Sequence, residues 1–368
     1  GMRRHKSFFS RGEVVDYVRA MVPRHVYHSA AYYQRPGAPT MKEKIWQGAD
    51  LIFDLDADHL QNAPKSYSGM LETVKKETEK LLAFLMSDFG FSESRLAAVF
   101  SGGRGYHIHV RDQRILSLGS DERREIVDYL AGRGLEMDRF IVMAPMEGDW
   151  GKDRAFRLRA PAAEAAGWGK RINRSIVSFV HSLRQQSEAD AIALLSKRKG
   201  IGPKRASSFY HSLQKENVLK EIASGNLDLF RGSAPIWRIL LEEFLDEEGV
   251  KVGFDLDSER GKTDEPVTAD VRRLIRCPGS LHGGSGLRVT PLSLTDLEEF
   301  DPLHDALVFG DELIPVQITK PFRTEMKGQA YNLAEGREEL PAHVAIFLMC
   351  RGVAEALSAR ERAKNLAL

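Results

Sequence analysis

The stretch that most constrains the fold is Leu51 to His59, which reads LIFDLDADH. Leu51, Ile52, Phe53 and Leu55 have strand-forming character and carry Asp54 and Asp56 between them. Successive side chains of a strand point to opposite faces, so the two carboxylates share one face. Each raises the cost of ionising the other unless positive charge lies between them. A divalent cation is the simplest source of that charge. Hard oxygen ligands suit Mg²⁺ or Mn²⁺, and Mg²⁺ usually takes one or two protein carboxylates, completing its shell with water and substrate phosphate. Taken alone, Asp-x-Asp at a strand end also fits a solvated turn or a cap. An EF-hand loop starting at Asp54 is excluded, because His59 and Lys65 stand where it needs Gly and Glu.

A chain of 368 residues has room for two or three domains, or for one large core with an insertion. Its hydrophobic fraction of 42% and mean hydropathy of −0.33 are those of a globular protein with a sizeable core. No apolar run approaches the roughly 18 residues needed to cross a bilayer, and the N-terminus lacks a signal-peptide core. The expected location is therefore intracellular and cytoplasmic, with no membrane partner. Cys277 and Cys350 are the only cysteines, too few for a disulfide framework or a Cys-based zinc site. Lys and Arg number 53 against 52 Asp and Glu, so a polyanion must be held by local patches rather than by an overall field.

Helical spacing in EVVDYVRAM predicts a helix over 13–21 that Pro23 ends. Beyond the Asp54 strand, Ser68 is a candidate cap for a long helix with Leu71, Val74, Leu81, Leu82, Leu85 and Phe89 on its apolar face and Gly90 as its stop. Leu96 to Phe100 and Tyr106 to Val110 read as strands joined by the glycine-rich loop SGGRG. Alternation puts His107 and His109 on one face and Tyr106, Ile108 and Val110 on the other. A helix over about 121–130 follows. The expected class is a mixed α+β catalytic core formed by 1–165 and 228–368, interrupted by an all-helical insertion at 166–227. Within the insertion KGIGPKRA, at 199–206, resembles the hairpin of a helix-hairpin-helix module; a helix start with Pro203 in its first turn explains the same residues. Ile236 to Leu245 reads as a further helix. In DEPVTADVRRLIRCPGSLHGGSGLRV, Thr268 is expected to cap a two-turn helix stopped by Pro278, with Asp270 as a first-turn acid favoured by the helix dipole. SLH and LRV flank a glycine turn as a hairpin would. Pro341 is placed to start a last helix with Val344, Phe347, Leu348 and Val353 as its buried stripe.

Metal-assisted attack on a triphosphate needs about three carboxylates, with cations and amides to hold the polyphosphate. Asp54 and Asp56 are two of them. SGGRGYH offers Ser101, loop amides, Arg104 and His107, and RCPGSLH offers Arg276, Ser280 and His282. Each alone has a plain structural reading as a turn, a core histidine or a solvated helix end.

Together, the order FDLDAD, SGGRGYHIHV and DEPVTADVRRLIRCPGSLHG resembles the three motifs of the small, catalytic subunit of archaeal and eukaryotic DNA primases, the archaeal form in particular. The tail HVAIFLMCRGVAEAL is similar to the same family. The resemblance implies a catalytic core that joins nucleotides into short primers on single-stranded DNA, using nucleoside triphosphates and a two-metal Mg²⁺ or Mn²⁺ site. It also implies a large partner subunit carrying an iron–sulfur cluster. By position, Asp54, Asp56 and Asp264 match the family's metal-binding carboxylates. Ser101, Arg104 and His107 match its triphosphate loop and strand, and Arg276 and His282 its phosphate contacts from the other side. Asp255, Asp257 and Asp270 have no such match. Many family members carry a cysteine-rich zinc knuckle between the first two motifs; the corresponding HLQNAPKSYSGMLETVKK has no cysteine, so no structural zinc is expected. The rival readings are a primase-polymerase relative that extends or repairs ends, an Asp-x-Asp phosphatase, and a decayed nucleic-acid-binding subunit. The phosphatase places Thr or Val where Asp58 stands, and the decayed subunit predicts missing carboxylates or phosphate grips.

Overall fold

A computed structural model describes residues 1–57, 64, 66–145, 156–229, 232–248 and 268–357. In chain order the elements begin α1 (Arg11–Met21), β1 (Tyr27–Ser29), β2 (Ala31–Tyr33), β3 (Trp46–Ala49), β4 (Leu51–Asp56), α2 (Tyr67–Ser87), β5 (Leu96–Phe100), β6 (Gly105–Val110) and α3 (Ser120–Ala131). They continue with β7 (Val142–Pro145), β8 (Phe156–Arg159), α4 (Gly167–Gln185), α5 (Glu188–Ser196), α6 (Pro203–Leu213), α7 (Val218–Ala223) and α8 (Ala234–Glu248). Next come β9 (Leu274–Arg276), β10 (Thr290–Leu292), α9 (Leu294–Glu299), α10 (Pro302–Asp305) and β11 (Leu313–Ile318). The series closes with β12 (Phe322–Met326), β13 (Gln329–Leu333), β14 (Gly336–Pro341), α11 (Ala342–Cys350) and β15 (Ala354–Ala356). Helices and small antiparallel sheets together make this a mixed α+β fold.

The chain divides into two compact units, Gly1–Val127 with Lys251–Leu368, and Asp128–Val250. In the first, an antiparallel sheet of order β10-β5-β6-β4 is the platform. β6 is buried along its whole length, as the central strand of a sheet covered on both faces should be. Phe53, Leu55, Tyr106 and Ile108 share the face packed by α2, whose Leu71, Val74, Leu81 and Leu85 are buried. The opposite face carries Ile52, Asp54, Asp56, His107 and His109. Ile52 clusters with Ala30 and Ile275, which brings the β1–β9 ribbon onto that face.

Five sequence expectations are corrected. Phe89, expected on the apolar face of the long helix, lies beyond its end at Ser87. The long helix is capped by Ser66, whose hydroxyl accepts from Gly69 N–H, and not by Ser68, which lies inside it. The two-turn helix expected after Thr268 is a turn followed by β9. Burial of Ile275 and pairing with β1 outweigh the local helical pattern there. Asp270 accordingly accepts from Arg272 N–H in a local turn rather than serving a helix dipole. Val353 falls beyond the end of α11, so the buried stripe consists of Val344, Phe347 and Leu348.

In the second unit, α4 buries Ile172, Ile176, Val180 and Leu183, as the helical spacing predicts. The unit extends past the expected insertion at 166–227 on both sides. β8 is tied to it because Leu227 N–H donates to Leu158 O at 3.0 Å, and α8 because Trp237 stacks edge-on to Phe209 at 4.9 Å. Among the described residues no helix is long and apolar enough to cross a membrane.

Candidate active site

The site grows from the pairing of β4 with β6. Register sets His107 directly across from Asp54, with Nε2 3.4 Å from Asp54 Oδ1. Asp56 faces Gly105, where a Cβ would lie 1.9 Å from Leu55 O, so a side chain at this point would force the strands apart. The SGGRG loop turns immediately before this contact. Ser101 N–H donates to Gly105 O at 2.9 Å, and Ser101 Oγ accepts from Gly103 N–H at 3.2 Å. Arg104 Nε lies 3.8 Å from Asp56 Oδ1. The two carboxylates remain partly exposed, 25% for Asp54 and 31% for Asp56, so both open onto solvent.

The facing wall comes from β1, β9 and the turn at 278–289. Arg276 lies with its guanidinium 4.9 Å over the Tyr27 ring and donates to His25 Nδ1, which also accepts from Gly283 N–H at 3.2 Å. His282 closes against the SGGRG loop. Gly102 has a φ of +75°, and a Cβ there would lie 2.7 Å from His282 Cβ, so glycine is required both for backbone and for space. Ser285 Oγ fastens the same turn by donating to Gly102 O. The walls enclose a cleft of about 420 Å³ that also takes in Tyr67, Arg273 and Arg351.

Burial, followed by the Arg276 charge, pushes His282 down to about 3. The same causes in the same order push His107 down to about 3. Both rings are therefore neutral near pH 7. In His282 the tautomer is fixed as well: Nδ1 accepts from Gly284 N–H at 3.2 Å, so the ring proton is on Nε2, beside Gly103. The cleft thus combines four guanidiniums (Arg104, Arg273, Arg276, Arg351), two neutral histidines and two carboxylates.

Seven residues singled out from sequence, Asp54, Asp56, Ser101, Arg104, His107, Arg276 and His282, line this one cleft. Asp264, Asp255 and Asp257 lie outside the described residues. Sequence reasoning missed Tyr27, Tyr67, Arg273 and Arg351, along with His25, which holds Arg276. Arg351 stacks 5.0 Å over the Tyr67 ring, and Tyr67 donates its hydroxyl to Gly103 O. The only signal for these was the density of aromatic and basic residues in RHVYHS and the position of Arg351 at the end of an apolar helix. Among the described residues no group of three or more His, Cys, Asp or Glu is arranged around a metal position. The donor set present, two part-exposed carboxylates on one strand face beside a phosphate-sized cationic wall, fits Mg²⁺ or Mn²⁺ shared with a substrate phosphate.

Comparison with known proteins defines the class. Residues 53–294 match the family model described as DNA primase small subunit. The chain is 55% identical over 359 residues to the DNA primase small subunit PriS of Methanothrix thermoacetophila, covering 96% of this chain and 89% of that one. It is 49% identical to the corresponding protein of Methanococcoides burtonii (96% and 88% covered) and 45% identical to that of Methanosarcina barkeri (96% and 86%). The chain belongs to the DNA primase small subunit family, a family of DNA-directed nucleotidyltransferases.

Proposed function

We propose that this chain is the catalytic subunit of a primase, synthesising short primers on single-stranded DNA by template-directed nucleotidyl transfer with release of pyrophosphate. The observation that carries the reading is the convergence of Asp54 and Asp56 with four guanidiniums and two neutral histidines in one cleft. An Asp-x-Asp phosphatase has no use for so long a cationic wall, and a decayed subunit would have lost part of it.

Asp54, Asp56 and, by family position, Asp264 are assigned to hold two Mg²⁺ or Mn²⁺ ions. When bound, such ions acidify the attacking 3′-hydroxyl and offset the charge of the departing pyrophosphate. His107, buried against Asp54, orients that carboxylate. Arg104 and Arg276 approach the polyphosphate from opposite walls, with the amides of the SGGRG loop between them. His282 donates from Nε2 to a phosphate oxygen without adding charge. The large subunit named by the family's two-part nomenclature is the proposed partner, carrying the iron–sulfur cluster that the sequence resemblance implies.

The test is incubation of the purified chain with unprimed single-stranded DNA, labelled nucleotides and Mn²⁺ or Mg²⁺, beside Asp56→Asn and a chelator control. New short products from the wild type alone are expected, and both the variant and metal removal should abolish them. Product from Asp56→Asn at more than about a tenth of the wild-type rate would refute the carboxylate assignment. Extension of supplied primers without initiation would favour the end-extending relative.

A further inference from the structure

The near-neutral total conceals a segregation of charge. Residues 166–227 carry 11 Lys and Arg against 4 Asp and Glu, in a chain with 53 against 52 overall. The excess is densest where α5 turns into α6. Across Lys197–Arg205 (KRKGIGPKR) there are five basic residues and no acid.

The structure separates the member of this group that serves the fold from those that do not. Arg198 donates through Nε to both carboxylate oxygens of Glu243 at 2.9 and 2.8 Å, and lies 5.5 Å over the Phe179 ring. It is committed to packing α8 and α4 against the hairpin. Lys197, Lys199, Lys204 and Arg205 are all exposed, and none of them enters an ion pair with the described residues. The acids of α5, Glu188 and Asp190, lie at its other end, where Glu188 pairs with His211 at 3.0 Å and Asp190 is bound by Ser187. A nine-residue helix rises about 13 Å, beyond a Debye length of about 8–10 Å in ordinary salt, so these acids hardly offset the four cations.

The hairpin between the cations is shaped for close approach from outside. Ile201 is 2% exposed and anchors the loop inward, between Gly200 and Gly202, which are both exposed. Gly202 has φ −79° and ψ 162°, a conformation any residue adopts, and a Cβ placed there meets nothing within 4 Å. Neither backbone nor packing calls for glycine here. Its effect is to leave the surface bare in the middle of four cations.

We propose that Lys197, Lys199, Lys204 and Arg205 form a binding site for the sugar–phosphate backbone of nucleic acid, gripping it irrespective of base sequence. The four cations take backbone phosphates, and the bare glycine surface admits the strand between them. The choice of nucleic acid as the polyanion rests on the reading of this chain as a primase; the site itself rests on the geometry of the hairpin. An acidic protein segment is the competing occupant. It is disfavoured because Pro203 is the one apolar side chain exposed between the cations, too little to anchor a peptide, whereas binding by phosphates needs charge alone.

The test uses the full chain and a fluorescent single-stranded oligonucleotide, with binding followed by anisotropy from about 50 to about 300 mM salt, over which the Debye length shortens from about 14 to about 6 Å. Replacing Lys199, Lys204 and Arg205 with Ala removes up to three phosphate contacts. The slope of log K against log salt should then fall by about 2, at about 0.7 per contact for single strands, and affinity near 100 mM salt by about tenfold or more. Gly202→Asp supplies a fold-neutral check. Asp is a better helix N-cap than Gly and has open space, so thermal stability should hold or rise while affinity for the oligonucleotide falls severalfold. Unchanged slope and affinity in the triple variant overturn the proposal, as does loss of large-subunit association with DNA binding intact. Asp56→Asn, which removes the proposed chemistry, should bind the oligonucleotide like wild type, so failure of the catalytic reading and failure of this site give different results.

Discussion

Replacing Gly105 with Ala isolates one contact on which the carboxylate geometry depends. The added Cβ would lie 1.9 Å from Leu55 O, 2.9 Å from Leu55 C and 3.0 Å from Asp56 Cα, all of them backbone atoms that cannot rotate away. Relief to an ordinary carbon–oxygen distance of about 3.3 Å requires β4 and β6 to part locally by on the order of 1 Å. Overpacking of this kind costs about 1–3 kcal/mol. The displaced atoms bracket Asp56, and in the catalytic role proposed for it a shift of about 1 Å is worth about 100-fold in rate. Gly105→Ala is therefore expected to lower the urea unfolding free energy by about 1–3 kcal/mol. Metal-dependent nucleotide incorporation on a primed template should fall about 100-fold at a temperature where the variant remains folded. Gly12→Ala, in the first turn of α1 with its Cβ meeting only Ser10 Oγ at an ordinary 3.7 Å, is the control and should keep wild-type activity with stability equal to wild type or higher by up to about 1 kcal/mol. Wild-type stability together with more than about a third of wild-type activity in Gly105→Ala would refute the argument.

Arg123 is 1% exposed and donates to the carbonyls of Asp50 at 2.8 Å, Ala49 at 2.7 Å and Leu118 at 3.0 Å, fixing the chain as it enters β4. Arg123→Met keeps much of the stem and leaves three carbonyls without their donor; a loss of about 3 kcal/mol in urea unfolding is expected, and a loss below about 1 kcal/mol would contradict it. His109 is fully buried, is stacked at 6.0 Å on His28, and has no hydrogen-bond partner for either nitrogen among the described residues. Burial, then the neighbouring His107, pushes it down to about 3, so it contributes stability fully above its unfolded value near 6.5 and loses that contribution as pH falls from 6.5 toward 3. His109→Phe should therefore gain on wild type in unfolding midpoint between pH 7 and pH 5; parallel pH dependences would show that the buried ring is not responsible.

What could be read from sequence was whatever depended on local alternation and on short motifs. The Asp54/Asp56 face, the His107/His109 face and the apolar stripe of α2 all follow from periods of two and 3.6, and the strands Leu51–Asp56 and Gly105–Val110 fall where that alternation puts them. The second wall was not legible in the same way. Arg276 was read at a helix end because ADVRRLIR has helical spacing, whereas β9 exists through its pairing with Tyr27–Ser29, about two-thirds of the chain away. Tyr27 and His25 were passed over for the same reason: their role is set by Arg276, which no local pattern links to them. Arg351 shows the limit most plainly. It follows a helix whose sequence speaks only of burial, and its place in the cleft comes from stacking on Tyr67, the first residue of α2. The width of the second unit was hidden likewise, since the bond from Leu227 N–H to Leu158 O joins segments with no shared periodicity.

The division of labour in the cleft makes a last prediction. Four guanidiniums supply long-range attraction for a polyphosphate, while burial first, and then the charges of Arg276 and Arg104, keep His282 from taking up a proton. A fifth cation there would be costly before substrate arrives; a neutral ring with its proton fixed on Nε2 gives a directed donor at no such cost. Because His282 titrates near 3, its protonation state does not change between pH 5 and 9. His282→Gln, which keeps a side-chain N–H donor, should lower kcat/KM less than His282→Ala. Both variants should leave the midpoint of the acid limb of the pH–rate profile where it is in wild type. A limb with a midpoint near 6.5 that vanishes in either variant would mean that the imidazolium form acts in the reaction, and the electrostatic account of the site would have to be reversed.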